Sequence, residues 1–165
     1  MLVIGVDPGT ATTGYGFVRE GPGGDLTGLA YGVIQTPTGL PIAERLALLH
    51  GELAVLLERH KPDTAAVEKL FFQKNVTTAI SVAQGRGAAL VALAQAGLDV
   101  AEYTPMEIKQ AIAGYGGAGK SQVQQMVRAL LNLDDLPRPD DAADALAVAI
   151  CHLHSRKSRA LYDQV

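Results

Sequence analysis

The chain has 165 residues, of which 48% are hydrophobic and 19% are charged. This length suits one folded domain with a sizeable core, and the composition excludes an intrinsically disordered chain. The net charge of -3 gives the protein as a whole no attraction for nucleic acid, so any nucleic-acid binding has to come from a local basic patch.

The single cysteine and the amino-terminal residues argue against a secreted or membrane protein. Cys151 is the only cysteine, which excludes an intrachain disulfide scaffold. Residues 1–10 lack the basic and long apolar regions of a signal peptide, and no run of about 18 apolar residues indicates a membrane span. We therefore expect a single domain over residues 1–165, located in the cytoplasm, with a basic tail from about residue 155.

The first part of the chain predicts three strands, a helix and a fourth strand. Short apolar or β-rich runs between turn residues indicate the strands, and apolar residues at helical spacing, ended by Pro62, indicate the helix. In chain order these elements cover residues 2–6, 13–20, 26–36, 42–60 and 64–67. Because the first three strands are joined by short links, we expect them to pair as an antiparallel meander.

The second part of the chain predicts mostly helices. The alanine-rich stretch 76–96 has apolar residues on most faces, so we expect its helix to be buried by its own core and by a partner subunit. A fifth strand and three more helices are predicted at residues 100–103, 106–113, 121–131 and 141–154. The basic segment that follows is expected to fray. A meander followed by alternating helices and strands predicts an α/β fold with a mixed five-stranded sheet flanked by helices.

Four carboxylates are placed so that the predicted fold can bring them together. Asp7 and Glu68 each follow a short apolar strand, and ligands commonly bind at the carboxyl ends of sheet strands. Asp141 and Asp144 are three positions apart and share one face of a helix. Clustered carboxylates repel each other unless cations lie among them, and such oxygen ligands favour Mg²⁺ or Mn²⁺. Two ions about 4 Å apart suit hydrolysis of a phosphodiester by an activated water.

Each acid also has an ordinary structural interpretation. Asp7 can be a turn residue, and Asp140 or Asp141 can satisfy the dipole at a helix start, which is the role we expect for Asp140. Glu68 is harder to explain in this way because glutamate is depleted in strands. Asp144 lies in an apolar helical run, where a charge needs a partner or a metal ion. Taken together, the acids favour a metal-binding catalytic site over four separate structural roles.

The loop at residues 114–121 matches two phosphate-binding patterns, GxxxxGK[ST] and GxGxxG. Both patterns require a strand directly before the loop, whereas residues 107–113 have helical spacing. We interpret the segment as a glycine loop that presents Lys120 and Ser121 to a phosphate backbone, with Lys109 nearby. A surface loop in which Ser121 caps a helix is the alternative.

Aromatic and basic residues are consistent with a nucleic-acid surface. Phe71 can stack on bases or wedge between them, whereas Phe72 is expected in the core. The basic residues that can line a phosphate track are Lys69, Lys74 and Arg86, with an ordinary solvated face as the alternative. No cysteine or further histidine completes a zinc set with His152 and His154, so we interpret these two as structural residues or end-of-helix cations.

Several motifs occur in a characteristic order along nearly the whole chain. They are Ile4-Gly5-Val6-Asp7-Pro8-Gly9, Thr13-Gly14-Tyr15-Gly16, Val67-Glu68 with Phe71, Lys74-Asn75, Gln84-Gly85-Arg86-Gly87, Lys120-Ser121-Gln122-Val123-Gln124 with Met126-Val127-Arg128, and Asp141-Ala142-Ala143-Asp144-Ala145-Leu146-Ala147. In this order they resemble the RuvC family of Holliday-junction resolvases.

The resemblance implies a ribonuclease-H-like fold and a homodimer whose subunits each cut one of two symmetric strands at a four-way DNA junction, in recombination and repair. The implied metal-binding catalytic acids are Asp7, Glu68, Asp141 and Asp144. Two Mg²⁺ ions per active site, replaceable by Mn²⁺, would be held there. The resemblance further implies that Phe71 lies at the junction centre and that Lys109 and Lys120 contact the backbone. A branch-migration helicase is the family's usual partner, and histidine replaces Asp141 in some relatives.

Three other functions stay open at this point. The segments 7–10 and 13–14 are similar to the first phosphate loop of actin-like and sugar-kinase-like ATP-binding proteins, which normally need a second similar domain. A non-catalytic binder of branched nucleic acid is another alternative, although it gains nothing from acids that face phosphates. An enzyme that acts on RNA precursors is the third.

Overall fold

The computed structural model describes the backbone of residues 1–70 and 76–162, and their side chains except at 76–78 and from 157 onward. The strands are β1 (Leu2–Asp7), β2 (Thr12–Glu20), β3 (Leu26–Gln35), β4 (Thr64–Glu68) and β5 (Val100–Tyr103). The helices are α1 (Ile42–His60), α2 (Val76–Gln95), α3 (Pro105–Ala113), α4 (Lys120–Leu130) and α5 (Asp140–Tyr162).

The strands form one mixed sheet in the order β3-β2-β1-β4-β5. The pairs β1–β2 and β2–β3 are antiparallel, which confirms the predicted meander. β4 pairs with β1 and β5 pairs with β4, both in parallel, and α1 and α2 belong to the long crossovers that parallel pairing requires.

Alternate residues of the strands enter two separate cores. In β1, the side chains of Leu2, Ile4 and Val6 lie in one core with α1 and α2. Val3 points the other way and lies in a second core with α3, α4 and α5. The sheet is therefore the middle of three layers, as predicted for a sheet flanked by helices.

Helix α5 lies directly against the sheet because glycines on β1 and β2 leave room for its backbone. A Cβ atom at Gly5 would come within 2.1 Å of the carbonyl oxygen of Ala145, and one at Gly14 within 1.9 Å of that of Asp141. Gly16, which pairs with Gly5 across the two strands, lies close to Leu146 in the same way. This seam sets the position of the first turns of α5 relative to the end of β1.

One predicted helix is longer in the structure, and a second is buried on only one side in the single chain. The helix expected to end at His154 continues to Tyr162, because the basic segment contains no glycine or proline and is rich in good helix formers. α2 is buried on the side of Ala89 and Leu93, whereas Ile80 and Val91 are 57% and 49% exposed in this single chain.

Candidate active site

The parallel pairing of β1 and β4 places Asp7 next to Glu68. Val6 lies opposite Val67 in the register, so the two acids follow at the same end of the sheet. Strand alternation turns both side chains toward α5, since Asp7 shares its face with Gly5, whose backbone contacts α5. Their carboxyl groups interact directly through a side-chain hydrogen bond.

Helix α5 brings the other two predicted acids to the same place. Its first turn rests on Gly14, which is the residue opposite Asp7 in the β1–β2 pair. Asp141 and Asp144 are both close enough to raise the pKa of Asp7 through their charges. The structure thus gathers at one end of the sheet the four acids that the sequence singled out.

Burial and mutual repulsion disfavour the charged forms of these acids. Burial, with the charges of Glu68 and Asp144, raises the pKa of Asp7 from 3.8 to about 8. Burial also raises the pKa of Glu68 and that of Asp144. At neutral pH and without a cation, Asp7 and Glu68 therefore share a proton.

Two lysines lie on the opposite wall of the same site. The Nζ atom of Lys120, at the start of α4, is 3.1 Å from Asp144 and 3.5 Å from Asp140. Burial raises the pKa of Glu68, and the charges of Lys109 and Lys120 oppose that rise. A cleft of about 230 Å³ is lined by these groups, namely Glu68, Lys109, Lys120, Asp144 and the apolar Pro105, Ile108, Val123 and Ala147. A larger cleft of about 400 Å³ lies between α1 and α2, on the other side of the sheet.

The acids fit a divalent cation by chemistry, although they are not arranged as a finished ligand set. Among residues 1–70 and 76–162, no three His, Cys, Asp or Glu side chains could hold a metal ion as they stand. Asp7 is instead paired with Glu68 through a proton, and Asp144 is paired with Lys120. The hydrogen bond to Glu68 and the Lys120 ammonium thus occupy carboxylate oxygens that would otherwise bind a hard cation. A divalent ion bound there would displace them.

Buried threonines hold the loop that follows Asp7. The hydroxyl of Thr13 donates to the carbonyl oxygen of Gly9 at 2.6 Å, and the hydroxyl of Thr36 donates to that of Thr10. Thr10 in turn donates to the carbonyl oxygen of Ser81 in α2. Sequence reasoning gave none of these threonines a role at the site, although Thr10 and Thr13 lie in segments that it singled out. Another signal was the concentration of threonines around the ends of β1, β2 and β3.

Of Phe71, Lys74 and Arg86, which are also predicted to contact DNA, only Arg86 lies within the part of the chain that the structure describes. The guanidinium of Arg86 forms an ion pair with Glu102, and its Nε atom is 3.5 Å from the carbonyl oxygen of Glu68. In this chain Arg86 therefore ties α2 to β4 and β5, and its contact with DNA stays a prediction. Phe71 and Lys74 lie outside the described residues.

The glycine loop lacks the structural context of both phosphate-binding patterns, and its presentation of Lys120 and Ser121 to a phosphate backbone stays a prediction. Residues 114–119 join α3 to α4 with no strand before them, so neither phosphate-binding pattern has its required context. His152 has the structural role that we expected. His152 is buried, with Nδ1 2.9 Å from the hydroxyl of Tyr103 and Nε2 3.3 Å from that of Thr64. These contacts link α5 to β4 and β5.

Replacing Asp7 with asparagine is expected to stabilise the metal-free protein near neutral pH. The unfolded chain ionises Asp7 near 3.8, whereas the folded protein keeps its proton up to about pH 8. The free energy of unfolding therefore falls as the pH rises between these two values. Asp7→Asn removes that loss, and we expect a gain of roughly 1–3 kcal/mol near neutral pH in chelator.

Urea unfolding of both proteins, in chelator, measures this effect. The difference in stability should be larger at about pH 7.5 than at about pH 5. A difference that is independent of pH, or a less stable Asp7→Asn protein, would contradict the proton shared between Asp7 and Glu68.

Comparison with known proteins gives the family. The family model described as crossover junction endodeoxyribonuclease RuvC matches residues 3–152. A relative of that name from Chloroflexus aurantiacus is 57% identical over 155 residues, which are 94% of each chain. Another from Syntrophomonas wolfei is 56% identical over 94% of this chain and 90% of its own.

Solved structures show the same fold. The Thermus thermophilus RuvC structure in complex with a Holliday junction substrate superposes with a TM-score of 0.90, at 39% identity over 96% of each chain. A yeast mitochondrial Holliday junction resolvase, at 13% identity, has a TM-score of 0.74 over 97% of this chain and 80% of its own, which shows the fold alone. The fold is ribonuclease-H-like, as predicted. With the family match over most of its length, the chain belongs to the crossover junction endodeoxyribonuclease RuvC family.

Proposed function

We propose that this chain is a structure-selective endodeoxyribonuclease that resolves four-way DNA junctions by paired symmetric nicks. The observation that supports this most directly is the meeting of four half-buried acids, two of which line one cleft with two lysines, in a chain of the RuvC family. Acids that repel phosphate have no use in a protein that only binds DNA. They are useful where a cation joins them to the scissile phosphodiester.

Asp7, Glu68, Asp141 and Asp144 are the proposed metal ligands and catalytic acids. We propose two Mg²⁺ ions per site, with Mn²⁺ as a substitute, because the ligands are all carboxylates. When bound, the ions supply Lewis-acid stabilisation of the phosphoryl group. Asp7 and Glu68 would bind a cation in place of the proton between them, and Asp144 would bind one in place of Lys120. Asp141 joins the set from the first turn of α5.

Lys109 and Lys120 are the proposed phosphate contacts inside the cleft. Both ammonium groups face Glu68 from α3 and α4, so a phosphate drawn into the cleft meets positive charge on the wall opposite the acids. This local basic wall is what the net charge of -3 requires of a DNA-binding chain. Phe71, Lys74 and Arg86 remain proposed DNA contacts.

We further propose that the protein works as a homodimer built on α2. Ile80, Gly87 and Val91 lie along one exposed face of this helix, and an exposed apolar face is suited to an isologous contact. A two-fold protein matches a two-fold junction. Sedimentation of the wild type and of Val91→Glu tests the contact, and a monomeric wild type would contradict it.

The cellular setting is proposed from the family. Across the residues described, no helix is both long enough and apolar enough to cross a membrane. We propose a cytoplasmic location and a branch-migration helicase as partner, as is usual for RuvC proteins.

The decisive experiment is cleavage of a labelled synthetic four-way junction by the purified protein, with Mg²⁺ and with chelator. A linear duplex of the same sequence is the control. We expect paired symmetric nicks that need both the metal ion and the junction. Equal cutting of the duplex would indicate a general nuclease. No cutting with any metal ion or DNA sequence would indicate a protein that only binds branched DNA.

A further inference from the structure

Lys120 lies between two carboxylates of α5 that belong to successive helical turns. Its Nζ atom is 3.1 Å from Asp144, which is in the proposed metal site, and 3.5 Å from Asp140, which is outside it. The lysine side chain is 55% exposed and Asp140 is 46% exposed, so the ammonium lies at the rim of the cleft. It can move from one carboxylate to the other without leaving the site.

Asp140 is held in place for this contact by residues that are not part of the proposed site. The amide nitrogen of Gln124, a buried residue one turn after Lys120 in α4, donates to Asp140 at 3.0 Å. Arg138 donates to the same oxygen at 3.2 Å.

A cation and Lys120 compete for Asp144. Binding of a divalent ion at Asp144 has to displace the ammonium group from that carboxylate. With Asp140 beside it, the displaced ammonium keeps a carboxylate partner one helical turn away and remains at the edge of the cleft. Without Asp140, the displaced ammonium loses the second of the two carboxylates that the described residues hold within 4 Å of it, and cation binding becomes harder.

We propose that Asp140 is a positioning residue that accepts Lys120 when a divalent cation takes Asp144, and so favours metal loading. From the sequence, the only role expected of Asp140 was to satisfy a helix dipole. The inference rests on the proposed metal site of the nuclease, and it concerns how that site passes from its metal-free to its loaded form.

The test is a Mg²⁺ titration of the DNA-free protein, followed by the rise in melting temperature. We expect Asp140→Asn to raise the Mg²⁺ midpoint about two- to fivefold, the range that an exposed ion pair supports. Asp140→Glu keeps the carboxylate and should restore a midpoint close to that of the wild type. An unchanged midpoint in Asp140→Asn would overturn the inference.

A double-mutant cycle separates this role from a simple loss of negative charge near the site. In a Lys120→Gln background there is no ammonium to transfer, so Asp140→Asn should leave the midpoint unchanged. The same shift in both backgrounds would overturn the inference in favour of a general field effect. Because the titration contains no DNA, its result is independent of junction cleavage by the wild type, which tests the proposed function separately.

Discussion

Asparagine in place of Asp7 is expected to abolish junction cleavage while leaving junction binding largely intact. Asp7 interacts directly with Glu68, and the charges of Asp141 and Asp144 raise its pKa. It therefore lies at the centre of the four acids. Removing its charge removes a metal ligand. The several kcal/mol of transition-state stabilisation that metal ions supply correspond to a loss of on the order of a thousandfold or more in rate.

Binding is expected to survive because the basic wall is untouched. Lys109 and Lys120 line the cleft from α3 and α4, whereas Asp7 lies at the end of β1. Single-turnover cleavage and a gel-shift assay on the same junction measure the two properties. Glu52→Gln, which removes an exposed acid on α1, is the control and should change neither. Loss of binding together with cutting would contradict this division of roles.

Alanine in place of Gly14 is expected to lower both cleavage and stability, although the residue carries no functional group. A Cβ atom there would lie 1.9 Å from the carbonyl oxygen of Asp141, so the start of α5 has to move away from β2. Overpacking of this kind costs about 1–3 kcal/mol of stability. A displacement of about 1 Å in Asp141 and Asp144 relative to Asp7 costs on the order of a hundredfold in rate.

Gly51→Ala is the matched control for this substitution. Gly51 lies in α1, and a Cβ atom there would meet no neighbouring atom within 4 Å. Alanine at this position should therefore raise stability by about 0.5–1 kcal/mol without changing cleavage. Urea unfolding and single-turnover cleavage measure both proteins. If Gly14→Ala cleaves as fast as the wild type, the glycine seam does not position the acids.

Local sequence patterns were sufficient to predict the strands and helices and to single out the candidate catalytic acids. Apolar runs and helical spacing predicted most element boundaries to within one residue of the structure, because a strand or an amphipathic helix is encoded by neighbouring residues. Asp7 and Glu68 stood out because each ends an apolar strand, and Asp144 because it interrupts an apolar helix. The end of α5 was missed because a run rich in charged residues carries no hydrophobic period.

Tertiary structure decided which of these residues meet. The parallel pairing that sets Asp7 beside Glu68 joins strands that are separated in the chain by β2, β3 and α1, and no local pattern encodes that register. The backbone contact of Gly14 with α5 likewise depends on two distant segments. Arg86 is the type of basic residue that contacts DNA, and only the tertiary structure shows that it forms an ion pair with Glu102 within the chain. Sequence by itself therefore determined the elements and the reactive groups, whereas long-range packing determined their distances, because only packing brings side chains from separate elements into contact.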